Sequence, residues 1–369
     1  MTVPRRLPTL AGFVALGIFW DAWAAVLPSV QHATGASNAA LGLALFCIAV
    51  GSLPAMLLVA GPAVDRYGAR AVALFGFAFA AATTLPGLAG SLPVLALTLV
   101  AAGAASGALD VGINANVSRI ESATGARLMP LAHGVYSCGV LAGAVATGFA
   151  RGAGAGREPI LLVVAGLIAA TALFLGNDPS PLPPGRARRR PSLDRALLLL
   201  GALGAAAFVV EGGTEGWSAL FLERELHAHP SISGLGPGVF GGAMAIGRFF
   251  GHTLRRPDRE LLAGGAAAAC AGCVLVAAAP SAAVALAGFA LAGAGIALNA
   301  PIVFGAAGRG RRDAASAVAT VTTVGYLGLL VGPPLVGAAA QAATLRGSFV
   351  LLAAIAAAVA AAAMRLVRS

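Results

Sequence analysis

Long apolar stretches recur along the chain, and short breaks that carry arginine, proline or glycine separate them. Each stretch has about 20 residues, the length that an α-helix needs to cross a hydrocarbon layer about 30 Å thick. A helix also satisfies its own backbone hydrogen-bonding groups, as lipid requires. The pattern therefore predicts an all-α membrane protein of twelve transmembrane helices. The expected spans are residues 10–30, 38–60, 71–90, 94–115, 131–150, 159–176, 196–222, 233–254, 261–279, 282–304, 314–341 and 346–366.

The composition agrees with a membrane protein, since 59% of the 369 residues are hydrophobic and 10% are charged. A net charge of +10 can indicate nucleic-acid binding, but here the arginines alternate from loop to loop instead of clustering on one face. Of 24 arginines, 19 fall on one side of the predicted topology, 4 fall on the other, and Arg248 lies inside a span. The positive-inside rule then predicts an inner-membrane protein with both termini in the cytoplasm. The first residues resemble a secretory signal, but removing them would break this alternation, so we interpret them as helix one.

Several classes of function are excluded by residue usage. The chain has no lysine, which excludes a phosphate-binding loop of the usual kind and with it a self-contained ATP-driven pump. The cysteines lie in apolar segments, so no disulfide framework is predicted. Cys270 and Cys273 have the spacing of a redox motif, but they fall inside helix nine and we interpret them as ordinary buried residues. We expect no enzyme activity, no cofactor and no metal site.

An internal repeat divides the chain into two halves. Shifting the second half by 189 or 190 residues places Asp110 on Asn299 and Asp21 on Glu211, together with several glycines of helices five and eleven. One long polar break lies between the halves. The repeat predicts two pseudo-symmetric six-helix bundles, as in many secondary transporters. The expected domains are residues 1–177 and 196–369, with a cytoplasmic linker at 178–195.

The loop between helices two and three reads Gly61-Pro-Ala-Val-Asp65-Arg66-Tyr-Gly68-Ala-Arg70. This loop resembles the signature loop of the major facilitator superfamily. The resemblance implies that Asp65 forms charge and helix-dipole contacts that hold one conformational state, so the quoted residues form a conformational-gating loop. In the second half, the position after Gly251 is His252 where the family pattern has an aspartate.

Other segments resemble the fucose-permease-like branch of the superfamily. They are Trp20 to Trp23, Leu109 to Asn116 with Glu121, Met129 to Ser137, Glu211 to Ser218 and Gly247 to Gly251. This resemblance implies that helices one, four, seven and ten line a cavity, and that acids in helices one and four couple protons to solute movement.

Four acids, Asp21, Asp110, Glu211 and Glu215, fall inside predicted spans. An ionised side chain there costs about 2.5–3.5 kcal/mol, so we expect these groups to face the bundle interior or a water-filled cavity. They are candidates for proton coupling. For Asp21 and Asp110, interhelical hydrogen bonding or pairing with Arg248 is the alternative.

Helix spacing places these acids in two layers. The outer layer holds Asp21, Glu211 and Glu215, and the inner layer holds Asp110, which shares a helix face with Asn114, together with Asn299.

Tryptophans and a few polar residues complete the candidate cavity. Trp20 and Trp23 either anchor at the interface or stack on a sugar-like ring, whereas Trp217 is expected to anchor at the membrane interface. The candidate substrate cavity consists of Trp20, Trp23, Asn114, Asn299 and Arg248.

The preferred hypothesis is a proton-coupled permease, a monomer that imports a small polar solute. The alternative is a drug or metabolite exporter that works by proton antiport. Such exporters commonly carry Gly-Pro in helix five, but here Gly143 is followed by Ala144. A receptor or scaffold that no longer transports is a third possibility, against which the acids inside the spans argue. The solute, the direction and the coupling ion stay open at this point.

Overall fold

The computed structural model of the protein describes residues 7–125, 128–176, 194–251, 253–309 and 314–366, and this part of the chain is helical without strands. Twelve long helices follow one another. In chain order they are α1 (Leu7–Thr34), α2 (Asn38–Tyr67), α3 (Ala69–Leu88), α4 (Leu92–Thr124), α5 (Met129–Gly152), α6 (Arg157–Leu175), α7 (Arg195–Leu226), α8 (Leu235–Gly251), α9 (Asp258–Ala277), α10 (Ala282–Gly308), α11 (Ala314–Ala342) and α12 (Leu345–Leu366). The predicted all-α membrane fold is confirmed.

The helix bounds differ from the predicted spans in informative ways. Within the described residues, eleven helices are long and apolar enough to cross a membrane. The exception is α8, which has 17 residues where a span over 233–254 was expected. It rises about 25 Å, the lower limit for crossing. By contrast α4 has 33 residues and α7 has 32, so both extend beyond their predicted ends.

The chain forms two compact units, residues 1–186 and 187–369. The predicted linker at 178–195 falls mostly outside the described residues, so its boundaries stay a prediction.

The first unit is held together by a defined set of helix pairs. Helix α1 packs against α5 and α6, α2 packs against α4, and α3 packs against α4 and α6. Glycines permit the closest approaches. A Cβ atom on Gly139 or Gly143 of α5 would strike the main chain of Val14 or Ile18 in α1, and one on Gly103 of α4 would strike Ile48 in α2. Small residues let helix backbones touch in lipid, where close packing drives association.

The second unit uses the same scheme. Helix α7 packs against α11 and α12, α8 packs against α10, and α9 packs against α10 and α12. Gly328 of α11 lies against the main chain of Ala205 in α7, as Gly139 lies against α1 in the first unit. Each helix pair of the first unit thus has its counterpart six helices later, as the sequence repeat predicts.

Among the described residues, α2 of the first unit and α10 of the second are irregular. In α2 the residues Ala55–Ala60 form a π-helical segment that packs against α4. In α10 the helix is interrupted at Ala297 and Leu298, between Ala282–Ile296 and Asn299–Gly308. Pro301 explains this interruption, because it has no N–H to donate to the main-chain oxygen of Ala297 one turn earlier.

Candidate functional site

Asp21 lies in α1 and is fully buried. The glycines of α5 contact α1 at Val14 and Ile18. Asp21 follows these residues at helical spacings of seven and three, so it lies on the same face of α1, toward α5. The carboxyl group is therefore placed inside the first unit and not at its surface.

Asp110 and Asn114 lie one turn apart on α4. The Asn114 Nδ2 atom donates to Asp110 Oδ1 at 2.9 Å and to the Asp110 main-chain oxygen at 2.9 Å. Both residues are half-buried. They continue the face of α4 on which Gly107 contacts Met56 of α2. The pair therefore lies at the level of the π-helical segment, a kind of irregularity that often occurs at functional sites.

Glu121, near the C-terminal end of α4, has a structural role that the sequence did not reveal. Its Oε1 atom accepts the main-chain N–H groups of Leu128 at 2.5 Å and Met129 at 2.8 Å. These groups open α5 and have no partner within that helix. Glu121 thus fixes the connection between α4 and α5.

In the second unit, Glu211 of α7 and Arg248 of α8 form an ion pair. The Arg248 Nη2 atom is 3.3 Å from Glu211 Oε1, and the side chains are 42% and 13% exposed for Arg248 and Glu211. Arg248 Nε also donates to the main-chain oxygen of Ala297 at 3.3 Å. This is the oxygen that Pro301 leaves without a helical partner. The sequence left Arg248 as an alternative partner for Asp21 or Asp110, but its partner in the structure is Glu211 of its own unit.

Two other candidates lie close in sequence to Glu211 and to Ala297, the residues that Arg248 contacts. Glu215 is one turn beyond Glu211 on α7 and is half-buried. Asn299 begins the second part of α10 and is 2% exposed, and neither of its amide atoms has a hydrogen-bond partner among the described residues. Arg248 therefore lies close to residues that the sequence assigned to different layers, because it contacts Glu211 and also Ala297, two residues before Asn299, and the division into layers stays a prediction.

The three tryptophans of the chain differ in how far their side chains are buried. Trp20 is half-buried, with its ring 5.2 Å from that of Phe19 in an edge-on arrangement. Trp23 is 4% exposed and Trp217 is fully buried. The prediction that Trp217 anchors at the membrane interface is wrong, because a ring in the protein core does not reach the headgroups. Of the three, Trp20 retains surface for a ligand.

The loop that resembles a family signature forms a tight connection. Helix α2 ends at Tyr67, Gly68 has φ 58°, and α3 begins at Ala69. Asp65, Arg66 and Arg70 are exposed. Asp65 makes no ion pair with any residue that the structure describes, and His252 of the second copy lies outside the described residues. The gating role of this loop therefore stays a prediction.

The candidate residues of the two units offer carboxyl, amide and guanidinium groups for binding polar solutes and protons. No three His, Cys, Asp or Glu side chains lie close enough to hold a metal ion in the described ranges. The arrangement suits reversible binding inside a membrane.

A family model described as the Major Facilitator Superfamily matches residues 9–325. An uncharacterised MFS-type transporter of Yersinia pestis is 32% identical over 355 residues, which cover 94% of this chain and 92% of that protein. Both matches extend over most of the chain.

Solved structures agree in fold. A variant of the nucleoside transporter NupG superposes with a TM-score of 0.81 at 13% identity, covering 98% of this chain and 100% of that one. A variant of the E. coli fucose:proton symporter FucP gives a TM-score of 0.63 at 16% identity, covering 100% and 99%. At such identities the likeness concerns the fold, and it agrees with the resemblance seen in the sequence. From the family model, the relative and the paired six-helix units, the chain belongs to the Major Facilitator Superfamily and is a multi-pass membrane transporter.

Proposed function

We propose that this protein is a proton-coupled secondary transporter of a small polar solute. It works as a monomer in the inner membrane, with both termini in the cytoplasm. The observation that carries the proposal is the presence of carboxyl groups inside both units, foremost Asp21, which is fully buried, and Asp110, which is hydrogen-bonded to Asn114. A buried carboxyl group that exchanges a proton is the simplest device for drawing on a proton gradient.

The four acids differ in how their charge is balanced. Glu211 is paired with the cation of Arg248, whereas Asp110 accepts a hydrogen bond from the neutral amide of Asn114. An ionised carboxylate within the hydrocarbon layer costs about 2.5–3.5 kcal/mol, and a neutral hydrogen bond offsets about 0.5–1.5 kcal/mol of that. Protonation removes the remainder. For this reason Asp110 is a better candidate for the coupling proton than Glu211. Asp21 is a candidate because it is fully buried, and Glu215 is the next candidate.

Similarity in fold supports a small polar solute. The neighbours named above are a nucleoside transporter and a fucose:proton symporter. In this chain Trp20, Asn114, Asn299 and Arg248 are the candidates for contact with the solute, because each offers a ring face or a hydrogen-bonding group within a span. Import by symport is the direction we favour.

Proteoliposomes that contain the purified protein and a pH-sensitive dye test this proposal. Labelled fucose, uridine and glucuronate are supplied outside, and accumulation and luminal pH are recorded under an imposed proton gradient. Symport predicts that a transported solute carries acid into the lumen, and antiport predicts the opposite sign. Asp21→Asn or Asp110→Asn should abolish gradient-driven accumulation, while exchange between equal pools survives in at least one variant.

The matched control is Glu158→Gln, because Glu158 is 47% exposed at the start of α6, where it pairs with Arg157 at 3.3 Å. It should transport at the wild-type rate. Accumulation and proton movement at wild-type levels in both aspartate variants would overturn the assignment of these acids. Transport of none of the three solutes would count against a small polar substrate.

A further inference from the structure

The contacts of Arg248 leave much of its binding capacity unused. The guanidinium group has five N–H donors, and the contacts to Glu211 and Ala297 engage Nη2 and Nε. Nη1 has no hydrogen bond to the residues that the structure describes. Arg–carboxylate pairs are frequently bidentate, with distances of about 2.7–2.9 Å. Here a single contact of 3.3 Å joins the two groups. The pair is loose, so the guanidinium can accept another anion without breaking a strong interaction.

Glu211 is also incompletely bound. Its Oε2 atom is buried without a hydrogen-bond partner among the described residues. Buried polar atoms are normally satisfied, and exceptions need an explanation. Glu211 therefore holds Arg248 through one oxygen and leaves the other oxygen for a ligand group or a proton.

The exposed part of the Arg248 side chain does not lie on the apolar surface of α8. Arg248 follows the buried residues Gly241 and Met244 at helical spacings of seven and four. The exposed apolar residues Ile246, Phe249 and Phe250 lie on the other side of the helix. The 42% of the Arg248 side chain that is exposed thus belongs to the face of α8 that carries its contacts with α7 and α10.

The helix break supplies the remaining part of the site. Pro301 frees the Ala297 oxygen, which accepts a hydrogen bond from Arg248 Nε at 3.3 Å and so favours one orientation of the guanidinium group. A guanidinium group with an open Nη1 atom and an Nη2 atom held by one long contact matches the geometry of a carboxylate, which can bind it through two parallel hydrogen bonds once Glu211 is displaced. A neutral solute would not need a full positive charge at this position.

We propose that Arg248 is the binding site for a carboxylate group of the transported solute, and that Glu211 occupies this site when the solute is absent. The solute is then a small organic acid, such as a sugar acid, and its carboxylate competes with Glu211 for the guanidinium group. This inference rests on the proposed transport function, for which it names the solute class.

Thermal stabilisation of the purified protein by matched probes tests the inference. The acidic probes are D-glucuronate and L-lactate, and their neutral counterparts are D-glucose and propane-1,2-diol, all at constant ionic strength. A ligand that binds the folded state raises the melting temperature in a concentration-dependent way. At least one acidic probe should stabilise the wild type beyond its neutral counterpart.

Substitutions then assign the effect to the site. Arg248→Gln should weaken binding of the acidic probe about 10–100-fold, since a hydrogen bond to a charged group is lost. Glu211→Gln removes the internal competitor and should strengthen binding several-fold. Arg309→Gln is the matched control, because Arg309 pairs with Asp258 at 2.5 Å at the end of α10 and lies away from the site. It should leave binding unchanged.

Three results would overturn the inference: no stabilisation by either acidic probe, equal stabilisation by acidic and neutral probes, or unchanged binding in Arg248→Gln. If Arg248→Gln does not fold, Glu211→Gln decides the matter, because unchanged or weaker binding there contradicts competition. A purely structural ion pair would lower the melting temperature in both variants without changing probe affinity. Proton-coupled transport of fucose or uridine would leave the proposed function standing while this inference fails.

Discussion

Replacing Pro301 by alanine should stabilise the second unit and impair transport at the same time. The substitution supplies an N–H that can donate to the Ala297 oxygen, so α10 can continue through its break as a regular helix. In a regular helix that oxygen points along the helix axis, so we expect it to lose its hydrogen bond from Arg248 Nε, which lies 3.3 Å away in the wild type. The guanidinium loses the contact that orients it beside Glu211.

The expected free energies follow from these two changes. A proline inside a helix costs about 3 kcal/mol, which alanine recovers. The lost hydrogen bond between a charged donor and the Ala297 oxygen removes about 1.5–3 kcal/mol. The net change in the free energy of unfolding for Pro301→Ala should therefore lie between about 0 and 1.5 kcal/mol, in the stabilising direction.

A double-mutant cycle separates the two terms. Arg248→Met removes the guanidinium group. In that background Pro301→Ala should raise the free energy of unfolding by about 3 kcal/mol, because no hydrogen bond to Arg248 is lost. The coupling energy between the two positions is then about 1.5–3 kcal/mol. Reversible unfolding in mixed micelles of detergent and SDS gives the four free energies, and proteoliposome transport gives the functional effect.

The control is Pro86→Ala in α3, a proline inside a helix of the other unit. Pro86→Ala should change the free energy of unfolding by the same amount in the wild type and in the Arg248→Met background. If Pro301→Ala also has the same effect in both backgrounds, within about 0.5 kcal/mol, the Ala297 oxygen does not hold Arg248 and the reasoning fails. Wild-type transport by a stabilised Pro301→Ala protein would show that the break has no role in function.

Three further predictions concern other parts of the chain. Gly139→Ala should destabilise the first unit by about 1–3 kcal/mol, because its Cβ would strike the main chain of α1, whereas Gly134→Ala, with open space around it, should be neutral or slightly stabilising; denaturation of both variants checks this. Asp65→Asn should lower the transport rate without preventing folding or insertion, since Asp65 is exposed and the helix-end interaction predicted for it, worth about 1 kcal/mol, would bias one conformational state; normal rates would contradict a gating role. Reporter fusions within residues 178–195 should indicate the cytoplasm, and periplasmic alkaline-phosphatase activity there would refute the topology.

Much of the fold was predictable because a membrane helix is a local feature of the chain. Hydropathy over about 20 residues locates each span, and the spacing of glycines and acids shows the repeat. The break in α10 also has a local cause, the missing N–H of Pro301, but the span predicted over 282–304 did not include it. The ends of α4 and α7 were less predictable, because polar residues beyond the hydrocarbon layer can continue a helix without any hydropathy signal.

The candidate site was predictable in its residue types but not in its pairings. The sequence identified Asp21, Asp110, Glu211 and Arg248 as costly residues within spans, and the i to i+4 spacing placed Asn114 beside Asp110. It did not reveal that Arg248 contacts Glu211, or that Trp217 lies in the core of the second unit. Those outcomes depend on the rotation and depth of one helix against another.

That rotation and depth are set by tertiary packing, and glycine contacts decide them in this protein. Where Gly143 lets α5 touch α1 at Ile18, the face of α1 that carries Asp21 becomes the buried face. Where Gly247 lets α8 approach α10 at Ala297, Arg248 comes within reach of the oxygen that Pro301 has freed. The sequence by itself determined which residues enter the membrane and which groups need a partner there. Only the tertiary structure decided which partner each one has, because close contact between two helices depends on side chains far apart in the chain.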